Sequence, residues 1–235
     1  MTTEQLRHRM PPILKALKER SLRGRTPVEG LRRTECAYHG WDTVHADAAS
    51  WEPFAPGDAF GGLEAHHCFK GTVTLPEASA GKRVVCLVST GASDIWNNNN
   101  PQFLAYVDGR LVCGLDVNHN EFDLAACAVP GESHELALYV YCNTPARDVF
   151  LRVETAERDD DVTGLYYDLR APYEVCALLA DDDTRAIGIM KHLNRALNLL
   201  DLRDLDSGAF AQSVRDAREY LRTEFYDGFC GRTDA

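Results

Sequence analysis

The chain has 235 residues, 45% of them hydrophobic and 26% charged, with 17 glycines and 10 prolines. That length holds one large domain or a medium domain with an appendage and excludes several full domains, while the composition excludes a disordered tail or a fibrous repeat. The formal net charge of −11 argues against nucleic acid as the main partner, because phosphate binding needs a dense basic face.

The charge is unevenly spread. Residues 1–33 hold nine Arg or Lys against three Asp or Glu, so the acidity belongs to residues 34–235. This predicts a basic N-terminal helical arm at 1–33, suited to dock on acidic surface of its own polypeptide or of a neighbour. The opening MTTEQLRHRM is charged where a secretion signal is apolar. No run reaches the ~18 apolar residues of a membrane helix, so the expectation is a cytoplasmic chain without a membrane partner. Eight cysteines, none in a C-x-x-C pair and several inside strand-like runs such as VVCLV and YVYC, read as free buried thiols.

In residues 4–22, Leu6, Met10, Ile13, Leu14, Leu17 and Leu22 recur at helical spacing. Pro11 and Pro12 predict a short first turn, a break and a second helix starting near the prolines. From 34 to 158 the texture is that of strands, with candidates at 66–74, 83–89, 103–107, 110–114, 121–125, 134–141 and 149–155. His134, Leu136, Leu138 and Val140 alternate with Glu135, Ala137 and Tyr139, which sends one face to a core and the other to solvent or a partner. Asp108-Gly109 between two such runs predicts a type I′ hairpin. Short strands without intervening helices predict an antiparallel β-sandwich, of the jelly-roll kind if the order is Greek key.

From 159 to 235 the period becomes helical. Ile187, Met190, Leu193, Leu197 and Leu200 form one stripe, after Asp181-Asp182-Asp183 and Thr184 as its N-terminus. Phe210, Val214, Ala217, Leu221 and Phe225 form a second, with Ser207 as cap and Gly228 beyond its end. A third helix is read at 164–180, with Pro172 inside it. The fold class is therefore mixed α and β, a sandwich flanked by an N-terminal helical arm and a C-terminal helical segment.

Catalytic signatures are sparse: the sequence has no dinucleotide fingerprint, Walker loop, H-E-x-x-H or nucleophile elbow. His66, His67 and Cys68 are adjacent on a strand, so their side chains alternate between faces and do not converge on one metal. The triplets 159–161 and 181–183 lack the spacing of a calcium loop and read as solvated helix ends. Trp51 to Gly62, dense in aromatics, Gly and Pro, suits either a corner of the core or a sugar-stacking loop. Residues 114–121 gather Asp116, Asn118, His119, Asn120 and Glu121, which either bind a polar ligand or satisfy backbone groups in a tight turn.

These segments, GGLEAHHCFKGTVTLPEASAGKRVVCLVSTG at 61–91, PQFLAYVDGRLVCGLDVNHNEFDL at 101–124 and the closing ALNLLDLRD and SVRDAREYLRTEFYDG, resemble the N-terminal region of glycoside hydrolase family 38 α-mannosidases, closest to the cytosolic and bacterial branch. The V-D-G-x-x-V-x-G-x-D-x-N-H-x-E pattern at 107–121 is the most specific part. The resemblance implies helices and a galactose-binding-like jelly roll preceding a catalytic domain that holds zinc and performs retaining hydrolysis with an Asp nucleophile. The G-H-x-H-I-D-x-A-W-L-W strand that opens such a domain does not occur in this chain, so no catalytic residue and no metal ligand is carried over. The expected role is a non-catalytic region supporting its own catalytic domain and a homo-oligomer, without a cofactor of its own. The alternative is a stand-alone carbohydrate-binding module, with oligosaccharide contacts at Trp96, Asp116, Asn118 and His119.

Overall fold

The computed structural model describes residues 3–90, 101–180 and 182–231, and its contacts divide into two units. Residues 24–157 form one. Residues 1–23 and 158–235 form the other, so the first helix groups with the last ones and residues 24–33, counted above with the basic arm, belong with the strands.

The strand unit contains two sheets, and helices accompany strands in the chain as a whole. The smaller sheet has the order β1-β10-β5-β8, from Leu22–Pro27, Arg152–Arg158, Arg83–Ser89 and Glu121–Ala125. The larger has the order β3-β2-β4-β9-β6-β7, from Glu52–Pro53, Arg32–Glu35, Ala59–Thr74, Ser133–Phe150, Gln102–Val107 and Arg110–Leu115. Its pairs are antiparallel throughout. One apolar core joins the facing sides: Phe60, Phe69, Val73, Phe103, Leu136, Leu138 and Val140 from the larger sheet meet Val84, Cys86, Val88, Phe122, Leu124 and Val153 from the smaller. Six of the seven expected runs are strands, and the seventh, 149–155, is divided at Leu151 between the end of β9 and the start of β10; β4 and β9 are longer than their apolar runs, and the short polar strands β1, β2 and β3 carry no such run. Asp108 (φ 49°) and Gly109 (φ 74°) make the hairpin turn between β6 and β7, with both central residues left-handed.

The second face of β9, expected to meet solvent or a partner, is covered in part by the chain itself. Ala137 and Tyr139 are buried as well, in a small outer cluster with Val44, Trp51, Cys68 and Tyr106. The short helix α1 (Trp41–His45) and the loops around it cover that part of the sheet. Trp51, Phe54 and Phe60 are all buried, so the aromatic segment at 51–62 fills cores.

In the helical unit, residues Thr3–Arg20 form one continuous helix rather than two pieces broken at Pro11 and Pro12. The carbonyl of Arg7, which would accept from an amide at position 11, instead accepts from the Tyr173 hydroxyl at 3.3 Å. Leu6, Met10, Ile13 and Leu17 face a shared core with the helices Asp160–Cys176, Thr184–Leu199 and Gly208–Tyr220. Side chains cap all three of these helices: Asp159 accepts from Val162 N, Asp183 from Arg185 N and Ser207 from Phe210 N. On Thr184–Leu199 the buried stripe is Ala186, Ile189, Met190, Leu193, Ala196 and Leu197, while Ile187 is 49% exposed. Gly188 sets this rotation, since the Phe229 ring lies where its Cβ would be. The last helix runs past Gly228 as a wider π-type stretch, Leu221–Cys230, because Leu221 and Phe225 still have core to face.

Phe69 is fully buried and meets Phe54 and Phe60 edge-on at 4.9 Å from each. Phe69→Ala is expected to destabilise the sandwich by about 3–5 kcal/mol, and Phe69→Leu by less. Urea unfolding of the variants checks both values.

Candidate functional site

Strand register builds a cleft of about 700 Å³ on the outer face of the larger sheet. On β4 and β9 the pairs are His66 opposite Tyr141 and Cys68 opposite Tyr139, and on β9 and β6 they are Tyr141 opposite Gln102 and Tyr139 opposite Leu104. Alternation points all six of these side chains away from the sandwich core, in two parallel rows. Gly114 of β7 stands opposite Leu104 and leaves the far end of the second row without a side chain. Tyr38 and His39 form one wall, while Glu64 and Asp116 also line the cleft.

Backbone strain gathers here. Of the three non-glycine residues with positive φ among the described residues, His39 (φ 68°) and Glu64 (φ 54°) both line the cleft. Glu64 lies within the irregular register where β4 passes Gly62 and Ala65, and its carboxylate accepts from the Tyr141 hydroxyl at 3.0 Å. That bond and the carboxylate charge push the Tyr141 phenol up from its ordinary range. The His39 amide donates to the Tyr139 hydroxyl oxygen at 3.2 Å, and the same hydroxyl is hydrogen-bonded to His66 Nδ1 at 2.7 Å. Gly40 (φ 54°) lets the loop press on Tyr139, since a Cβ there would meet the ring.

Tyr38 is 70% exposed and sits edge-on to His66 at 5.7 Å, and Tyr141 lies 5.2 Å from the same imidazole. The cleft thus combines aromatic faces with three phenol hydroxyls, an amide, two imidazoles and two carboxylates. That inventory suits a polyhydroxylated ligand, whose apolar faces stack while its hydroxyls find acceptors and donors.

The residues singled out from sequence fare differently. Asp116 reaches the cleft. Its Oδ1 accepts from the amides of His119 (2.8 Å) and Asn118 (2.7 Å), which hold its pKa below the ordinary carboxylate range, and its own amide donates to the His119 carbonyl (3.0 Å). Asn118 and His119 are exposed members of that turn and are not among the lining residues. Trp96 lies outside the described residues. Sequence reasoning missed Tyr38, His39, Glu64, Gln102 and Tyr141; the alternation of β9 was the available signal for Tyr139 and Tyr141.

His66 and His67 do face opposite ways. His67 is 1% exposed on the core side, with Nε2 bonded to the Gly61 carbonyl at 3.2 Å and Nδ1 without a partner. Among the described residues no group of three or more His, Cys, Asp or Glu is placed to hold a metal ion. In the helical unit a cavity of about 710 Å³ is lined by Arg215, Arg218 and Arg222. Much of that charge is already matched, with Arg218 on Asp161 (2.9 Å) and Asp168 (3.3 Å) and Arg222 on Glu219 (2.6 Å).

No family model and no curated protein sequence matches the chain. Similar solved structures include a β-glucuronidase of Faecalibacterium prausnitzii, with a TM-score of 0.39 at 13% identity, covering 58% of this chain and 32% of that one. Another is a β-glucuronidase of an uncultured Clostridium sp., at 0.41 and 8%, covering 58% and 29%. A third is the Ruminococcus gnavus β-glucuronidase, at 0.42 and 8%, covering 58% and 29%. The chain spans less than a third of the length of these proteins. No helix among the described residues is long and apolar enough to cross a membrane.

Burial lowers the pKa of His67, so the unfolded chain takes up a proton there more readily than the folded one. Its contribution to stability is complete above the ordinary histidine value of about 6.5 and is lost as the pH falls from there through the lowered folded value. His67→Leu is expected to flatten this acid-side fall, as measured by urea unfolding at a series of pH values.

Proposed function

We propose that the chain is the N-terminal, non-catalytic region of an α-mannosidase of glycoside hydrolase family 38, supporting the catalytic domain and the oligomer. In this reading the sandwich is a galactose-binding-like jelly roll, zinc belongs to the catalytic domain, and the enzyme is cytoplasmic. The observation that carries it is the use made of residues 107–121, the stretch most like the family. Asp108 enters the hairpin turn with positive φ and accepts from the Glu135 amide and His134 Nδ1. Asp116 closes the next turn, onto the amides of residues 118 and 119. Polar side chains spent on turns suit a supporting scaffold better than a reaction centre.

A second observation points the same way. The helical unit leaves Tyr167 (54%), Val175 (46%), Leu178 (86%), Ile187 (49%) and Leu199 (45%) exposed, the kind of surface that further protein covers. The isolated chain is therefore expected to give no turnover of a nitrophenyl α-mannoside, and light scattering to show a mass that rises with concentration. Turnover that survives purification and a chelator, or a strictly monomeric chain across the whole concentration range, would overturn the proposal.

The stand-alone carbohydrate-binding reading draws on the cleft. There, mannose or an α-linked mannobiose is expected to bind with a dissociation constant in the millimolar range, about −4 kcal/mol. Tyr141→Ala removes both the ring and the partner of Glu64 and should weaken binding about tenfold, or ~1.4 kcal/mol. Calorimetry without heat, together with unmoved NMR signals from Tyr38, His66 and Asp116, would dispose of this reading.

A further inference from the structure

Cys36 and Cys68 stand with their sulfurs 3.6 Å apart at the border of the cleft. Cys68 is completely buried, in mid-strand on β4 with Thr34 and Tyr139 paired on either side. Cys36 is half-buried and lies one residue past the end of β2, where its amide makes a bond of 3.0 Å to the His66 carbonyl. Beyond it the chain turns through His39 (φ 68°) and Gly40 (φ 54°). The two thiols thus differ as an attacking and a resolving thiol must, one reachable and at a strand end, the other enclosed and held.

We propose that Cys36 and Cys68 form a redox-active dithiol whose oxidation by a low-molecular-weight disulfide resets the Tyr38–His39 wall of the cleft. The Cys36 thiolate attacks one sulfur of a small disulfide such as glutathione disulfide and expels one thiolate, leaving a mixed disulfide on Cys36. Cys68 gives its proton to the departing thiolate and attacks Cys36 Sγ, which expels the second small thiol. Two protein thiols are oxidised to one disulfide while one small disulfide is reduced to two thiols. Donation from Cys68 lowers the Cys36 pKa and, with burial, raises that of Cys68, which favours thiolate at the reachable sulfur.

Geometry carries the effect to the wall. A disulfide needs its sulfurs at about 2.05 Å, so the 3.6 Å gap must close. Cys68 is pinned between two paired strands, so the movement falls on Cys36 and on Tyr38 and His39, two and three residues beyond it.

The test uses the full chain with its two exposed thiols removed, Cys127→Ser and Cys230→Ser, treated with glutathione disulfide and analysed by peptide mapping and amide hydrogen exchange. The expected result is loss of both free thiols to a Cys36–Cys68 cross-linked peptide, reversed by dithiothreitol, with slowed exchange at residues 37–40. Cys68→Ala should instead retain glutathione on Cys36, and Cys36→Ser should leave Cys68 unmodified. A lasting glutathione adduct on Cys36 with Cys68 present, two unmodified thiols, or a cross-link with unchanged exchange at 37–40 would each overturn the proposal. The map with both cysteines present decides the chemistry even if a variant at buried Cys68 fails to fold.

Discussion

The register of β4 against β9 is the constraint on which the strand unit depends. Side chains alternate with a period of two, so this one pairing decides the environment of every residue on both strands. In the observed register Phe69 and Leu138 enter the sandwich core while His66, Cys68, Lys70, Tyr139 and Tyr141 take the outer face. A slip of one residue would bring Lys70 into the core and turn Phe69 outward, trading favourable burial for a buried charge. Two features hold the register. Lys70 reaches the Ala46 carbonyl at 2.8 Å and Glu135 at 3.0 Å, which satisfies an ammonium that is only 6% exposed. At the other end the bulged segment around Gly61 and Gly62, with φ of 130° and 126°, passes so near the Ala146 carbonyl that a Cβ on Gly61 would collide with it.

The outer face of that sheet is divided. Part is covered by α1 and by Trp51, which with Val44, Tyr106 and Tyr139 make a second small core. The remainder is the cleft, and Tyr139 belongs to both, with its ring in the small core and its hydroxyl bonded to His66. This shared residue explains why the loop at 36–40 is built so tightly, with consecutive left-handed backbone at His39 and Gly40. The strain at His39 is offset by the amide bond to Tyr139 and by apolar contact around the ring. The thiol pair lies on the same border, joined to the cleft by covalent chain rather than by a long relay of contacts.

The helical unit is organised on different terms. Its core is a bundle seam of Leu, Met, Ala, Val and Phe, and its polar ties join the first helix to the far end of the chain: Arg9 donates to Asn198 at 2.7 Å and to the Leu197 carbonyl at 3.2 Å, and Arg20 to Asp206 at 2.6 Å. The basic character of the first helix is thus used in part on its own unit, and its salt bridges to exposed carboxylates contribute little beyond orientation.

Much of this was legible in the amino-acid order. The alternating runs, the Asp108-Gly109 turn, the Ser207 and Asp183 caps and the apolar stripes follow from local rules of dihedral preference, capping and period, which act within a few residues and leave their mark there. Contact between distant segments is what those rules omit. The continuity of the first helix required Tyr173, and the rotation of Thr184–Leu199 required Phe229 against Gly188. The cleft required residues 38, 64, 102, 116 and 141, from a loop, the strands β4, β6 and β9 and the turn after β7. Asp116 was visible beforehand because a turn advertises itself locally. The aromatic and carboxylate partners beside it were decided only by tertiary structure, because strand register and left-handed loop geometry bring together side chains that no sequence period links.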